Sequence, residues 1–442
     1  MSDPVPGKPT PIERVVRPFQ QFAELEASGG ILLISCTVIA LAWANSAWAA
    51  SYFHLWHTDL TFGFAGRNIS EPLHFWINDG LMALFFLLVG LEIKREALVG
   101  ELASFRKAAL PIAAATGGMV IPAAFYWLFN QGRPGASGWG IPMATDIAFA
   151  LGVLALLGDR VPLSLRVFLA ALAIADDIGA VLVIAFFYTA QISWISLGVA
   201  AFFFAALIAM NRIGARHPVI YAVLGLGLWI AFLKSGIHAT VAGVLVALTI
   251  PARQRIDVPA FLARSESALN QIRRAEDAGE RVEAIAAKGY AIERLLSDCE
   301  RVESPMLRFE HALVPWSKYV IMPVFALANA GVAIGGGTSG SLVHPISLGV
   351  VCGLVLGKPV GVVAFSWLGT RTGVASLPNG VKWRQILGVG ALAGIGFTMS
   401  LFVANLAFGP VPALETAKVG ILAASLVSGV AGAIILLQKT KA

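Results

Sequence analysis

The sequence is short of charge. Asp, Glu, Lys and Arg make up 13% of its 442 residues, against about 25% in a soluble chain. That deficit excludes a water-soluble enzyme, a disordered protein and a nucleic-acid binder, all of which present charged surfaces. Cysteine is scarce too. Cys36, Cys299 and Cys352 form no disulfide framework and match no metal-site spacing. A cleavable signal is also missing: residues 1–28 are polar and proline-rich with no apolar core, so the first membrane helix must do the targeting.

Apolar residues are abundant, at 57% of the chain with a mean hydropathy of +0.77. Twelve spans of roughly 20 residues need about 240 positions, and twelve apolar stretches can be read: 29–49, 75–91, 108–129, 139–158, 163–189, 193–210, 218–233, 236–250, 313–334, 345–369, 385–409 and 416–437. Basic residues orient them. With the N-terminus inside, the short inner loops hold Lys94, Arg95, Arg106 and Lys107, then Arg160 and Arg166, Arg212 and Arg216, and Arg371, Lys382 and Arg384. The outer loops hold Arg67, Arg133 and Lys234. This asymmetry follows the positive-inside rule. The expected chain is an all-α polytopic membrane protein of the inner membrane with both termini cytoplasmic. Its order is an inner segment 1–28, spans one to eight over 29–250, an inner insertion over 251–312, spans nine to twelve over 313–437, and a tail over 438–442.

Two segments lie outside the membrane. The outer loop 50–74 contains LTFGFAGRNI, Leu60 to Ile69, which reads as a short β-hairpin with glycine at its turn. Such a hairpin is either a pairing device between two chains or a plain surface loop. Residues 252–304 are charge-rich, with Leu269, Ile272, Val282, Ile285, Ile292, Leu295 and Leu296 in a helical stripe. Acids and bases nearly balance there, which argues against anionic lipid or nucleic acid as a partner.

Ionisable residues inside the spans carry the chemistry. A carboxylate at the bilayer centre costs about 2.5–3.5 kcal/mol, so each must be neutralised, solvated or paired. The spans hold Asp79, Asp146, Asp176, Asp177 and Lys358, with Glu92 at an inner end. Asp176 and Asp177 lie in LAIADDIGAV, midway along the fifth span. Neighbours on a helix point about 100° apart, so one can line a watery path while the other meets a packed helix. A carboxylate in that setting can trade a proton for a small hard cation, because its oxygens suit both. Lys358, followed by Pro359, must pair with a carboxylate or give up its proton, and Asp176 and Asp177 are both candidates. Asp146 follows Gly140 and Pro142, and the eleventh span is interrupted by Gly390, Gly394 and Gly396 before Thr398 and Ser400. Broken helices in corresponding halves point to inverted repeats around a midplane site. Asp146 would balance the positive helix ends there. Asn78 and Asp79 read as polar packing groups. His54 and His57 have metal-ligand spacing but no acidic partner.

Seven motifs in order bear a resemblance to the bacterial NhaA-type Na⁺/H⁺ antiporters: NDGLMALFFLLVGLEIKRE (78–96), ATDIAFALG (144–152), LAIADDIGAV (172–181), SGIHATVAGV (235–244), FALANAGV (325–332), LGKPVGV (356–362) and GIGFTMSLF (394–402). The resemblance covers nearly everything except 252–304. It implies that Asp177 is the primary cation and proton carboxylate, and that Asp176 pairs with Lys358. It implies that Thr145 and Asp146 belong to crossed, unwound helices, with Na⁺ held at Asp177, Asp176 and Thr145. Glu92, Arg95, Glu96, Arg308, Glu310 and His311 match the family's charged cluster tied to pH control, as does His238. Leu307 departs from that pattern, where a lysine would stand, and the 252–304 block is longer than usual. The family's outer hairpin implies a homodimer through residues 50–74.

The resulting expectation is an electrogenic secondary antiporter, not an enzyme. It would export Na⁺ (or Li⁺) against external protons, with pH regulation and no cofactor. Two other classes use membrane carboxylates. An intramembrane aspartyl protease needs a GxGD motif, and the lone Gly-Asp is Gly158–Asp159; its PAL triplet, Pro412–Leu414, falls in an outer loop. A passive cation channel has no use for a lysine beside paired aspartates.

Overall fold

The computed structural model describes residues 28–64, 67–189, 192–253, 258–277, 282–333, 342–378, 380–409 and 412–438. Most of the N-terminal segment and the end of the tail therefore lie outside the described residues. The described chain is mainly helical, as backbone in hydrocarbon must satisfy its own hydrogen bonds.

Helix α1 (Ser28–Ala44) turns by 113° into α2 (Ala49–His57). The expected first span ran to residue 49. It stops earlier because the Asn45 amide donates to Leu41 O and to Val332 O, both at 2.8 Å, competing with the next helical turn. Strands β1 (Asp59–Phe64) and β2 (Arg67–Pro72) pair antiparallel, Asp59 opposite Pro72; the turn itself lies outside the described residues. Helices α3 (Leu73–Val99) and α4 (Phe105–Asn130) follow. Next come a 3₁₀ segment (Pro134–Met143) and α5 (Ile147–Leu157), bent by 41° at their junction. Then come α6 (Leu163–Phe187), α7 (Trp194–Ile213), α8 (Pro218–Leu233) and α9 (Val241–Thr249). Helices α10 (Val258–Asp277) and α11 (Val282–Val302) form the charged insertion. Helix α12 (Pro305–Trp316) continues through a π turn into α13 (Met322–Asn329). Then come α14 (Pro345–Arg371), α15 (Trp383–Ala393), α16 (Phe397–Phe408) and α17 (Pro412–Leu437), with a 47° bend between α15 and α16. Among the described residues six helices are long and apolar enough to span a membrane, or nine with each bent pair counted as one span.

The chain divides into two compact units, one holding residues up to Met82, Glu96–Thr189 and Trp316 onward, the other Ala83–Arg95 and Ala190–Pro315. The second unit is centred on Leu91, Leu207, Tyr221, Leu228, Ala247, Ile250 and Met306. Lys94 Nζ donates to Leu248 O at 2.7 Å and Ile250 O at 2.5 Å, placing a cation at the negative end of α9. Helices α10 and α11 meet through buried Ala268, Ala275 and Ala291. Arg264 reaches Asp298 at 3.5 Å and Lys288 reaches Glu276 at 2.5 Å, so the two helices run antiparallel. The Lys288 ammonium holds the Glu276 carboxyl below its usual range.

In the first unit, α14 crosses α4 at a contact that admits no side chain: a Cβ on Gly361 would lie 2.1 Å from Gly117 O. One turn earlier, Lys358 runs beside Gly118, where a Cβ would lie 3.5 Å from its Nζ. This close crossing aims the lysine at the two helix breaks.

Candidate functional site

The breaks at Ala144–Asp146 and Gly394–Gly396 lie against each other. Asp146 N donates to Ile395 O at 2.7 Å, and Ser400 Oγ donates to Ile141 O at 2.7 Å. Pro142 supplies no backbone donor and Gly394 has no room for a side chain, since a Cβ there would meet Leu354 O at 2.4 Å.

Each broken helix exposes unsatisfied amide and carbonyl ends. Asp146 serves two amino ends at once. Its Oδ1 accepts from Phe149 N at 3.0 Å in α5, and its Oδ2 accepts from Thr398 N at 3.0 Å and from the Thr398 hydroxyl in α16. An ionised carboxylate in this place would face two partial positive charges. The carboxyl ends are met by donors. Lys358 Nζ donates to Met143 O at 2.5 Å, at the end of the 3₁₀ segment, and Thr145 Oγ1 donates to Ala393 O at 2.9 Å, at the end of α15.

Asp176 joins these partners. It is fully buried, and its Oδ2 accepts from Thr145 Oγ1 at 2.6 Å and from Lys358 Nζ, while its Oδ1 has no hydrogen-bond partner. Thr145 thus divides one hydroxyl proton between Asp176 and the end of α15. Asp177, the next residue of α6, is 2% exposed. Asp146, Asp176 and Asp177 against Lys358 leave two negative charges if all four ionise. Water is largely excluded, so this surplus attracts a small cation or protons strongly. Among the described residues no group of three or more His, Cys, Asp or Glu side chains converges on a metal-binding point.

Of the residues that the resemblance ties to pH control, Arg95, Glu310 and His311 stand in ion pairs. Arg95 Nε pairs with Glu310 Oε1 at 3.0 Å, and His311 Nδ1 with Glu303 Oε1 at 2.8 Å. Glu96 Oε2 accepts from Glu101 N at 2.9 Å, and His238 Nδ1 meets its near neighbour Thr240 at 2.9 Å. Glu92 stands one turn before Glu96 on α3, and Arg308 precedes Glu310 on α12. Leu307 packs on the apolar core of its unit, which is what a leucine rather than a lysine does there.

One feature escapes a reading of the sequence. Thr398 is Asp146's second anchor, 252 positions away. Asn78, read from the sequence as a polar packing group, is buried with Asn329 and linked through it to half-buried Asn405, with Asn329 Nδ2 donating to Asn78 Oδ1 at 2.9 Å and Asn405 Nδ2 to Asn329 Oδ1 at 3.1 Å. The available signal is a lone asparagine in each of three apolar helices.

The sequence profile of the family described as Na⁺/H⁺ antiporter 1 matches residues 20–436. The chain is 53% identical to the Na(+)/H(+) antiporter NhaA of Oleidesulfovibrio alaskensis over 97% of its own length and 95% of that protein. It is 50% identical to the Na(+)/H(+) antiporter NhaA of Koribacter versatilis over 98% and 94%, and 48% identical to that of Wolinella succinogenes over 93% and 91%. Apolar helices, paired helix breaks and whole-length similarity agree: this chain belongs to the Na⁺/H⁺ antiporter 1 family.

Proposed function

We propose that this protein is a secondary transporter of the bacterial inner membrane that exchanges cytoplasmic Na⁺, or Li⁺, for external protons. The Lys358–Asp176 pair, buried without exposure at the meeting of two helix breaks, carries the reading. Such a pair is held together only while the lysine is protonated and the aspartate is not. An arriving cation competes with Lys358 for carboxylate oxygen. Asp177 receives the cation first, Asp176 is released from the lysine as the ammonium loses its proton, and the Thr145 hydroxyl adds a neutral oxygen ligand. Proton return from the other side restores the pair. Asp177 gives up one proton as it takes the cation and Lys358 gives up another, so more than one proton crosses per cation and transport responds to the membrane potential.

Asp146 stays charged in this cycle and offsets the two helix amino ends where the broken helices cross. The count of twelve spans is reached by adding α8, α9 with its approach, and the helix from Pro305 to Asn329 to the nine candidates. The Arg95–Glu310 and His311–Glu303 pairs, with Glu92, Glu96, His238 and Arg308, form the basis of pH control. The strands at 59–72 within the outer loop 50–74 link two chains as a homodimer, and both termini face the cytoplasm. Complete burial of the site argues against a passive channel, which needs a continuous wet path. Everted membrane vesicles with a pH-sensitive dye test the reading: Na⁺ or Li⁺ added to acidified vesicles raises the lumenal pH. A pH gradient indifferent to both cations overturns it.

A further inference from the structure

The α10–α11 hairpin has a second apolar stripe that its own packing does not use. Positions Ala268 and Ala275 of α10 and Ala291 of α11 face inward and are buried. The residue after an inward position lies about 100° round the helix. On α10 that rotation gives Leu262 and Leu269, which follow Phe261 and Ala268; on α11 it gives Ile292 and Leu296, which follow Ala291 and Leu295. Because the helices are antiparallel, the two rotations carry both stripes to the same side of the hairpin. Leu262 is 60% exposed and Leu296 62% exposed, and Leu269, Ile285 and Ile292 are exposed with them.

We propose that this face docks on the same face of a second copy of the chain, closing a four-helix bundle. Three observations favour a copy over a lipid surface. First, the described residues of the hairpin carry nearly equal numbers of acids and bases, whereas helices that lie on membranes present a basic polar face. Second, these side chains and Val258 offer on the order of 600 Å² per copy, which for two copies passes the ~1,000 Å² a specific contact needs. Third, the stripe is complementary to itself. Glu266 and Arg273 flank it at equal distances on either side of Leu269 and Asn270. A two-fold axis through that point sets Glu266 against the partner's Arg273 and Arg273 against the partner's Glu266. The Arg264–Asp298 and Glu276–Lys288 contacts fix which residues of the two helices stand level, and they set Ile292 within about half a turn of the same axis. The contact rests on α10 and α11 alone and stands whether or not the transport mechanism above is right.

The test is oxidative cross-linking of full-length protein in native membranes, with Cys36, Cys299 and Cys352 replaced by alanine. Leu269→Cys and Ile292→Cys, close to the axis, should each give a covalent dimer. Restoring Cys299 alone should not, because it stands two turns from Ile292 and its mate would lie far across the bundle. Glu266→Arg should reduce the Ile292→Cys dimer several-fold, and adding Arg273→Glu to the same chain should restore it. All variants should still exchange cations, which shows that they fold. Two outcomes overturn the proposal. One is cysteines at 269 and 292 that label freely with an aqueous maleimide and never cross-link. The other is cysteines protected from maleimide with no dimer, which assigns the face to lipid.

Discussion

At the scale of single residues, the site balances charge by position. Lys358 pairs with Asp176 and also meets the carbonyl end of the 3₁₀ segment, so it has a structural and a chemical task. Arginine keeps its proton at every accessible pH, whereas a buried lysine can lose it. Lys358→Arg should therefore retain some exchange but need more alkaline conditions, because a permanent cation keeps competing with Na⁺ at Asp176. The pH profile of dye dequenching in vesicles reads this, and an unchanged profile would leave Lys358 as a fixed countercharge. Lys358→Ala strands a buried carboxylate at a cost of about 3–5 kcal/mol, and less if Asp176 takes up a proton. It should melt well below the arginine variant in a thermal scan. Asp146→Asn keeps the shape but gives up the full charge opposite two helix ends. Hydrogen bonds to a charged group contribute about 1.5–3 kcal/mol, so this variant should lose stability on that scale; a melting temperature equal to the parent's would remove Asp146 from its role.

At the scale of elements, the two breaks and the α4–α14 crossing hold the site in place. Gly361→Ala should destabilise the protein by about 1–3 kcal/mol, because the added carbon would meet the Gly117 carbonyl at 2.1 Å. Gly289→Ala, on the exposed hairpin where a Cβ meets nothing within 4 Å, should cost nothing and serves as the control. Local chemistry was legible here. Pro142 and the glycines near 394 mark breaks because one removes a donor and the others loosen the chain, and the adjacent aspartates announce themselves by their cost in an apolar run. What local chemistry could not supply was partner choice. Asp176 and Asp177 were equal candidates for Lys358 from the residues alone, and only the rotation of α6 relative to α14 separates them. Thr398 stayed hidden for the same reason: a threonine after a glycine is ordinary until the fold sets its amide against Asp146. The early end of α1 rests on a bond from Asn45 to Val332, a contact far along the chain.

At the scale of the whole molecule, the charge-poor composition dictated a membrane protein, and the one charge-rich block formed its own hairpin. Because α10 and α11 pack chiefly on each other through small side chains, deleting most of 257–303 should leave measurable turnover in vesicles; a folded but inactive deletion would make the hairpin part of the transport machinery. The central claim is that buried carboxylate chemistry at Asp177 couples Na⁺ to protons. Asp177→Asn tests it most directly, since the amide keeps the shape but can neither release a proton nor present a full charge to a cation. In everted vesicles of matched protein content, Na⁺ addition should dequench the dye with the parent protein and leave it at background with Asp177→Asn. Dequenching of undiminished size in that variant would contradict the account.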